Sequence, residues 1–335
     1  MRILVLFTGG TIGSSVNEGY ISPDSRNSGK LIDMYNNTRN NAGIIFEAAN
    51  PFTLLSENSS GKSIAMLISE VSRYLTAGYD GIIVTHGTDT IQYSAAALSY
   101  SFPDIKIPLL LVSANHILDD PESNGLSNFS AAVSFIENNY GNGVFVPYEN
   151  NEGSKKIVYV HKGTRLLPHL PYSDNLFSIK NRYYGYYDDN KSFIKTEPDN
   201  IRDSHISLSL SAPGGWGAEV LRIFPYPGME YPSLHSFPIL PKAILLDTYH
   251  SGTLCTGTPG MKQFFDEAKQ LNIEVYLSGA DCGPDYDSVK LWEAYNITIL
   301  KPASPIAMYI KLWMSVNEKN TTKIMRTPIS DDFLL

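Results

Sequence analysis

Two short stretches combine hydroxyls, glycines and a carboxylate in a way that suits a divided nucleophilic task. They are Thr8-Gly9-Gly10-Thr11-Ile12-Gly13 and His86-Gly87-Thr88-Asp89-Thr90. A threonine hydroxyl is a weak nucleophile at its free pKa and needs an activating neighbour. Two such hydroxyls at one place can share the work, one attacking while the other positions or activates a water. Gly87 lets the backbone turn without a Cβ clash. Gly9 and Gly10 let a substrate carbonyl approach the backbone and leave N–H groups for a developing oxyanion. Read alone, Thr88 and Asp89 are good helix N-caps, and capping would occupy both.

The flanking residues say what must position these stretches. Ile82-Ile83-Val84 has the β-branched, apolar character of a strand buried on both faces, and Ile91 to Leu98 reads as a helix. Ile3 to Phe7 repeats the pattern ahead of the first stretch. Both threonines therefore fall at the carboxyl end of a strand, where parallel α/β sheets collect ligands on outward-pointing N–H groups.

Further strands are expected at 44–47, 108–113, 221–224, 243–247 and 273–277, with a hairpin from 143–148 to 156–160. Helices are expected near 63–75, 125–135, 260–270 and 306–313. Residues 14–23, small, polar and glycine-containing, read as a mobile loop, and 183–215 as an irregular linker or arm. Strand–helix alternation at this spacing predicts doubly wound, mostly parallel α/β sheets in two domains. The boundaries are set at 1–190, a linker at 191–217, and a smaller domain at 218–335.

Composition narrows the class. A chain of 335 residues with 43% apolar and 18% charged residues can bury a large core. The net charge of −8 offers no basic face for nucleic acid. No apolar run reaches the roughly 20 residues that span a bilayer. Met1-Arg2 leads directly into a core-like strand, without the cleavage site of a signal peptide. Two cysteines, Cys255 and Cys282, make no disulfide framework, so a cytoplasmic location is expected. No His/Cys/carboxylate cluster has zinc spacing, and neither a metal nor an organic cofactor is expected. The glycine turn after the first strand lacks the full dinucleotide fingerprint and the Lys-Ser/Thr of a P-loop.

Thr-Gly-Gly-Thr-Ile and His-Gly-Thr-Asp-Thr, in that order, resemble the two signature segments of the bacterial-type L-asparaginase/glutaminase family. The resemblance covers most of the chain and is best over 1–135. It implies the asparaginase-like two-domain fold and a metal-free hydrolysis of a side-chain amide, of asparagine or a related compound, that releases ammonia. It makes Thr11 the nucleophile, with Thr88 and Asp89 in the same pocket and Tyr20 assisting from a flap. Asp89 would accept a hydrogen bond from the substrate's α-ammonium. Ser56 matches a serine that contacts the substrate carboxylate, though alone it reads as a helix cap. Ala114 matches a loop framing the amide, Gly10 and Gly87 line the pocket, and His86 is structural. The small-molecule amide is the expected partner, in a homodimer or homotetramer.

Two positions depart from the family. Its lysine, the proton-handling partner of Thr88 and Asp89, falls at Pro168 after Gly163-Thr164-Arg165. His169 and Lys180 are the neighbouring groups able to take a proton. The glutamate that reaches the ammonium across a subunit interface falls at Ile306. Loss of a general base typically costs 10²–10⁴-fold in rate. The alternative is therefore a catalytically impaired homologue that binds an amino acid or another ligand.

Overall fold

The apolar runs pair into two sheets in a computed structural model, which describes residues 1–17, 20–23, 27–38, 43–197, 204–210, 219–280, 286 and 289–334. The chain opens with β1 (Arg2–Phe7), the antiparallel pair β2 (Ser14–Asn17) and β3 (Tyr20–Pro23), α1 (Asn27–Thr38) and β4 (Ile45–Ala49). It then alternates through α2 (Gly61–Tyr74), β5 (Gly81–Thr85), α3 (Ile91–Ser101), β6 (Pro108–Val112) and α4 (Gly125–Glu137). The hairpin β7 (Gly143–Glu152) and β8 (Lys155–Lys162) leads on to β9 (Gly185–Tyr187) and β10 (Phe193–Lys195).

These strands, apart from β2 and β3, make one sheet in the order β10-β9-β8-β7-β6-β5-β1-β4. From β4 to β7 the neighbours run parallel, and the last three join antiparallel. The chain leaves β1 for β4 on one side and returns as β5 on the other, so the switch point lies between β1 and β5. Every residue of β5 and β6 is buried, because helices cover both faces. Ile3, Val5, Ile83 and Leu110 pack with Tyr35 of α1 and Phe129 and Phe135 of α4. The alternate residues Leu4, Leu6, Ile82 and Val84 pack with Leu67 and Val71 of α2 and Ile91 and Leu98 of α3.

The second sheet is built from β11 (Val220–Ile223), β12 (Ala243–Asp247), β13 (Glu274–Ser278) and β14 (Thr298–Ile299), all parallel in that order. Its helices are α5 (Pro259–Gln270), α6 (Val289–Ala294), α7 (Pro305–Ser315) and α8 (Thr321–Arg326). Helix α7 joins the two parts: its Ala307 and Ile310 share a core with Ala96, Ala97 and Tyr100 of α3. The segment after α8 fastens this contact. Ser330 Oγ donates to the Ser99 carbonyl at 2.7 Å, and Lys311 Nζ meets Asp332 Oδ2 at 2.6 Å with both side chains fully buried. The Tyr100 hydroxyl donates to the same carboxylate at 3.2 Å.

Three expectations need correction. Residues 14–23 are not simply a loop but hold β2 and β3, whose backbones pair from Ser14–Pro23 to Asn17–Tyr20. Helix α1, with Leu31 and Tyr35 buried, forms in an asparagine-rich stretch for which no helix is expected. The stretch 183–215 contributes β9 and β10 to the first sheet, so β10 falls inside the segment expected as linker, while 198–203 and 211–215 lie outside the described residues. Cys282 lies outside them too. Among the described residues no helix is long and apolar enough to cross a membrane.

Candidate active site

The two threonine stretches meet at the switch point because β1 and β5 are hydrogen-bonded neighbours, with Phe7 opposite Thr85. Thr8 ties them further: its hydroxyl donates to the Thr85 carbonyl at 2.6 Å. The turns then touch through their glycines. Gly10 adopts φ +84°, and a Cβ there would stand 2.5 Å from the Gly87 amide nitrogen. A Cβ on Gly87 would in turn strike the Ser56 side chain. Both positions therefore need glycine, one for its left-handed backbone and both for the close approach. Thr11 follows Gly10 directly and Thr88 follows Gly87, so the two hydroxyl residues flank the contact. Both are half-buried.

A third strand end joins them. Gly9 makes an isolated parallel bridge to Leu54, whose amide donates to the Thr8 carbonyl at 2.9 Å. This sets Ser56, only 5% exposed, beside the second turn. Its hydroxyl donates to Asp89 Oδ2 at 3.0 Å, and its carbonyl accepts from Thr90 Oγ1 at 3.0 Å. Gln92 Nε2 holds the Asp89 carbonyl at 2.9 Å. Ser56 is thus no helix cap: α2 is capped by Ser60, in a reciprocal box with Ser63. Nor do Thr88 and Asp89 cap α3, whose N-cap is Thr90 without a side-chain bond. Thr88 is half-buried and Asp89 is exposed.

His86 sits under this turn with both nitrogens engaged. Nδ1 donates to the Gly87 carbonyl at 2.9 Å and Nε2 accepts from Ser94 Oγ at 2.8 Å. Burial pushes its pKa below the ordinary value. That leaves it a neutral brace for the turn, as the resemblance implies.

The remaining expected site residues are placed differently. Ala114 is 1% exposed, and its methyl packs toward Gly125 in the core, so only its backbone can face a ligand. The loop it opens is clamped by Asn115 and Asn124, each side-chain oxygen accepting from the other's amide, at 3.0 and 2.9 Å. Tyr20 opens β3 and is 78% exposed, so its ring is not packed into the pocket. Ile306, the position matched to the family's glutamate, is 1% exposed within its own chain.

The segment where a lysine was expected has a structure that its sequence did not disclose. Arg165 is taken up by a buried ion pair with Glu197. Beyond it the chain makes a long loop closed by a bridge between Leu166 and Ser178. Leu167 donates its amide to the Phe177 carbonyl at 2.9 Å. Asn150 of β7, 1% exposed, grips the far side, donating to the Leu176 carbonyl at 2.8 Å and accepting its amide at 2.9 Å. Pro168 is exposed, and Lys180 lies exposed in the following 3-10 turn. His169 is half-buried and acted on by Asp89 and by the Thr88 backbone. Asn150 lies in a polar Glu-Asn-Asn-Glu run that reads as a turn, so its role had no signal in the sequence, and nothing local signalled the approach of His169.

Comparison with known proteins follows the same lines. The family described as Asparaginase, N-terminal, matches residues 2–197. A glutamyl-tRNA(Gln) amidotransferase subunit of Sulfolobus acidocaldarius is 28% identical over 234 residues, 68% of this chain and 51% of that one. Its namesake from Pyrobaculum aerophilum is 24% identical over 349 aligned positions, 98% of this chain and 79% of that one. The chain spans about half the length, 51% and 49%, of the Sulfolobus and Methanosarcina barkeri relatives. Among solved structures, the thermostable L-asparaginase of Thermococcus kodakarensis superposes with a TM-score of 0.81 over 100% of both chains, at 22% identity. The probable cytoplasmic L-asparaginase of Campylobacter jejuni gives 0.74 over 97% of this chain and 98% of that one, at 21% identity. At such identities the likeness is one of fold.

Proposed function

From a chain that belongs to the asparaginase family, we propose an amidohydrolase that cleaves the side-chain amide of asparagine or a related compound and releases ammonia. The observation that carries the reading is the packing of Gly10 against Gly87, which sets two threonine-bearing turns side by side at the switch point with Asp89 beside them. In this proposal Thr11 Oγ1 attacks the amide carbon and the N–H groups of the glycine turns receive the oxyanion. The C–N bond breaks as the nitrogen takes a proton and leaves as ammonia. A water activated beside Thr88 then hydrolyses the ester. Asp89, oriented by Ser56, accepts a hydrogen bond from the substrate's ammonium group, and Tyr20 acts from the β2–β3 pair. The relatives' name concerns one part of an amidotransferase; the transfer of ammonia to a partner is not part of this proposal.

A second reading, ligand binding without hydrolysis, is favoured by the exposed Pro168 at the position expected to hold a base. Ammonia release by wild type and Thr11→Ala, assayed on asparagine, glutamine and N-substituted asparagines, decides between them. Hydrolysis is supported by turnover that Thr11→Ala abolishes. If both proteins are inert on every amide while wild type still binds aspartate, the binding reading replaces it. We also propose a homodimer or homotetramer. Exposed Tyr226, Ile239 and Leu240 in the second part give it apolar surface to cover. A monomer at micromolar concentration by light scattering would contradict this.

A further inference from the structure

The loop from Leu166 to Ser178 carries one imidazole toward the two threonine turns. We propose that His169 is the proton-accepting group of this site, brought beside Asp89 and the Thr88 backbone by a loop that Asn150 locks in place. The inference rests on the amide-hydrolysis reading above and deepens it.

The Nε2 atom of His169 is buried and makes no hydrogen bond among the described residues. A buried polar atom without a partner costs free energy, and such atoms persist where a function needs them. The ring is also held: it meets Tyr148 of β7 edge to face, with centroids 5.5 Å apart. Two other histidines are more deeply buried. His86 has both nitrogens engaged within the turn. His161 of β8 likewise has a buried Nε2 without a partner among the described residues, but its Nδ1 is bonded to Ser178 Oγ at 2.8 Å, and burial pushes it down to about 3, far too weak a base for neutral pH. His169 sits between these extremes. Burial lowers its pKa from the ordinary 6.5, while the Ser173 backbone, Asp174, Asp89 and the Thr88 backbone all work the other way. The facing group from β7, Tyr148, is pushed up to about 12 by burial and stays neutral. At neutral pH the imidazole is therefore mainly uncharged, with two carboxylates ready to stabilise the cation that forms when it accepts a proton.

The step balances without a co-reactant other than water. In the second half-reaction the water oxygen bonds to the acyl carbon, and its proton passes to His169 Nε2, directly or through the Thr88 hydroxyl. The tetrahedral adduct collapses, the bond to Thr11 Oγ1 breaks, and the imidazolium returns its proton to that oxygen. The acid product and the free hydroxyl are restored together.

The test uses the full chain. His169→Gln is expected to lower kcat by about 10²–10⁴-fold with little change in KM, and to remove the acidic limb that wild type shows in its pH–rate profile. Added imidazole is expected to restore part of the rate to His169→Gly. Circular dichroism verifies folding, and His169→Asn replaces a variant that fails it. An active wild type whose His169→Gln variant keeps the same kcat and the same acidic limb overturns this inference and leaves the amidohydrolase reading standing. A wild type inert on every amide overturns both. Independently of turnover, NMR titration of the His169 ring is expected to shift to lower pH in Asp89→Asn. A titration that does not move overturns the pairing.

Discussion

At the switch point of the eight-stranded sheet, β1 and β5 run out into Thr11, Thr88 and Asp89, with glycines packed between them. In the four-stranded sheet, β12 and β13 also finish on polar residues, Asp247 and Ser278, which stand opposite each other in the ladder. Glycine follows there as well, and Thr248 occupies the space that a Cβ of Gly279 would need, its hydroxyl at 2.5 Å. But Asp247 is closed off from outside. Arg222 meets it with Nε at 2.7 Å and Nη2 at 3.3 Å, and each of these side chains is less than a tenth exposed. The rings of Phe224 and Tyr309 lie against the guanidinium at 4.4 and 5.7 Å. Strand, turn and polar residue are alike in both sheets; only where the fold leaves the polar atoms without an internal charge partner is there room for chemistry. Function attaches to the site and not to the architecture that recurs around it.

This contrast sets what each end should do when altered. Thr11→Ala is expected to cut kcat by about 10⁴-fold or more, as loss of a nucleophile does, while leaving the melting temperature close to wild type. Ammonia release and a thermal melt on one preparation check both halves. Arg222→Met should give the mirror image. It strands a buried carboxylate and is expected to cost about 3–5 kcal/mol of stability in urea unfolding, with turnover per folded molecule unchanged. Replacing both partners, with Asp247→Leu added, is expected to recover most of that loss.

The buried histidines of the first sheet give a smaller effect, through pH. His86 and His161 are both lowered in the folded protein, His161 to about 3, and both are ordinary when unfolded. The unfolded chain therefore binds more protons below about 6.5, so their stabilisation is complete above that pH and is lost as pH falls toward 3. From pH 7.5 to 5, His161 alone should account for about 2 kcal/mol. Urea unfolding across that range, with a flatter slope in His161→Asn, is the check. Smallest is Ser56→Ala, which removes one hydrogen bond to Asp89. It is expected to raise KM by roughly fivefold, about 1 kcal/mol, and to leave kcat nearly unchanged.

What the sequence disclosed divides along physical lines. β1, β5, β6 and β12 were legible because parallel strands covered on both faces need uninterrupted apolar runs, and each has one. The glycine turns were legible because only glycine tolerates their backbone and their contact. Helix α1 was not, since Leu31 and Tyr35, with Ile32 and Met34 partly buried beside them, anchor it in a segment otherwise rich in asparagine. β2 and β3 escaped because a four-residue pair of strands carries little pattern of its own. His169 lies far from Asp89 in sequence, and only the closure of the Leu166–Ser178 loop makes them neighbours.

The fastening of residues 330–332 onto α3 bears on how the molecule is made. Ser99 and Tyr100 find their partners 231 and 232 positions later in the chain. A ribosome therefore exposes the outer face of α3, with Ala96, Ala97 and Tyr100, long before α7 and the segment beyond it exist to cover that face. The parallel sheet beneath can assemble early, yet its nascent form carries an uncovered apolar stripe for the rest of synthesis. That stripe is where a chaperone would bind, and a chain halted before α7 is the species that should aggregate.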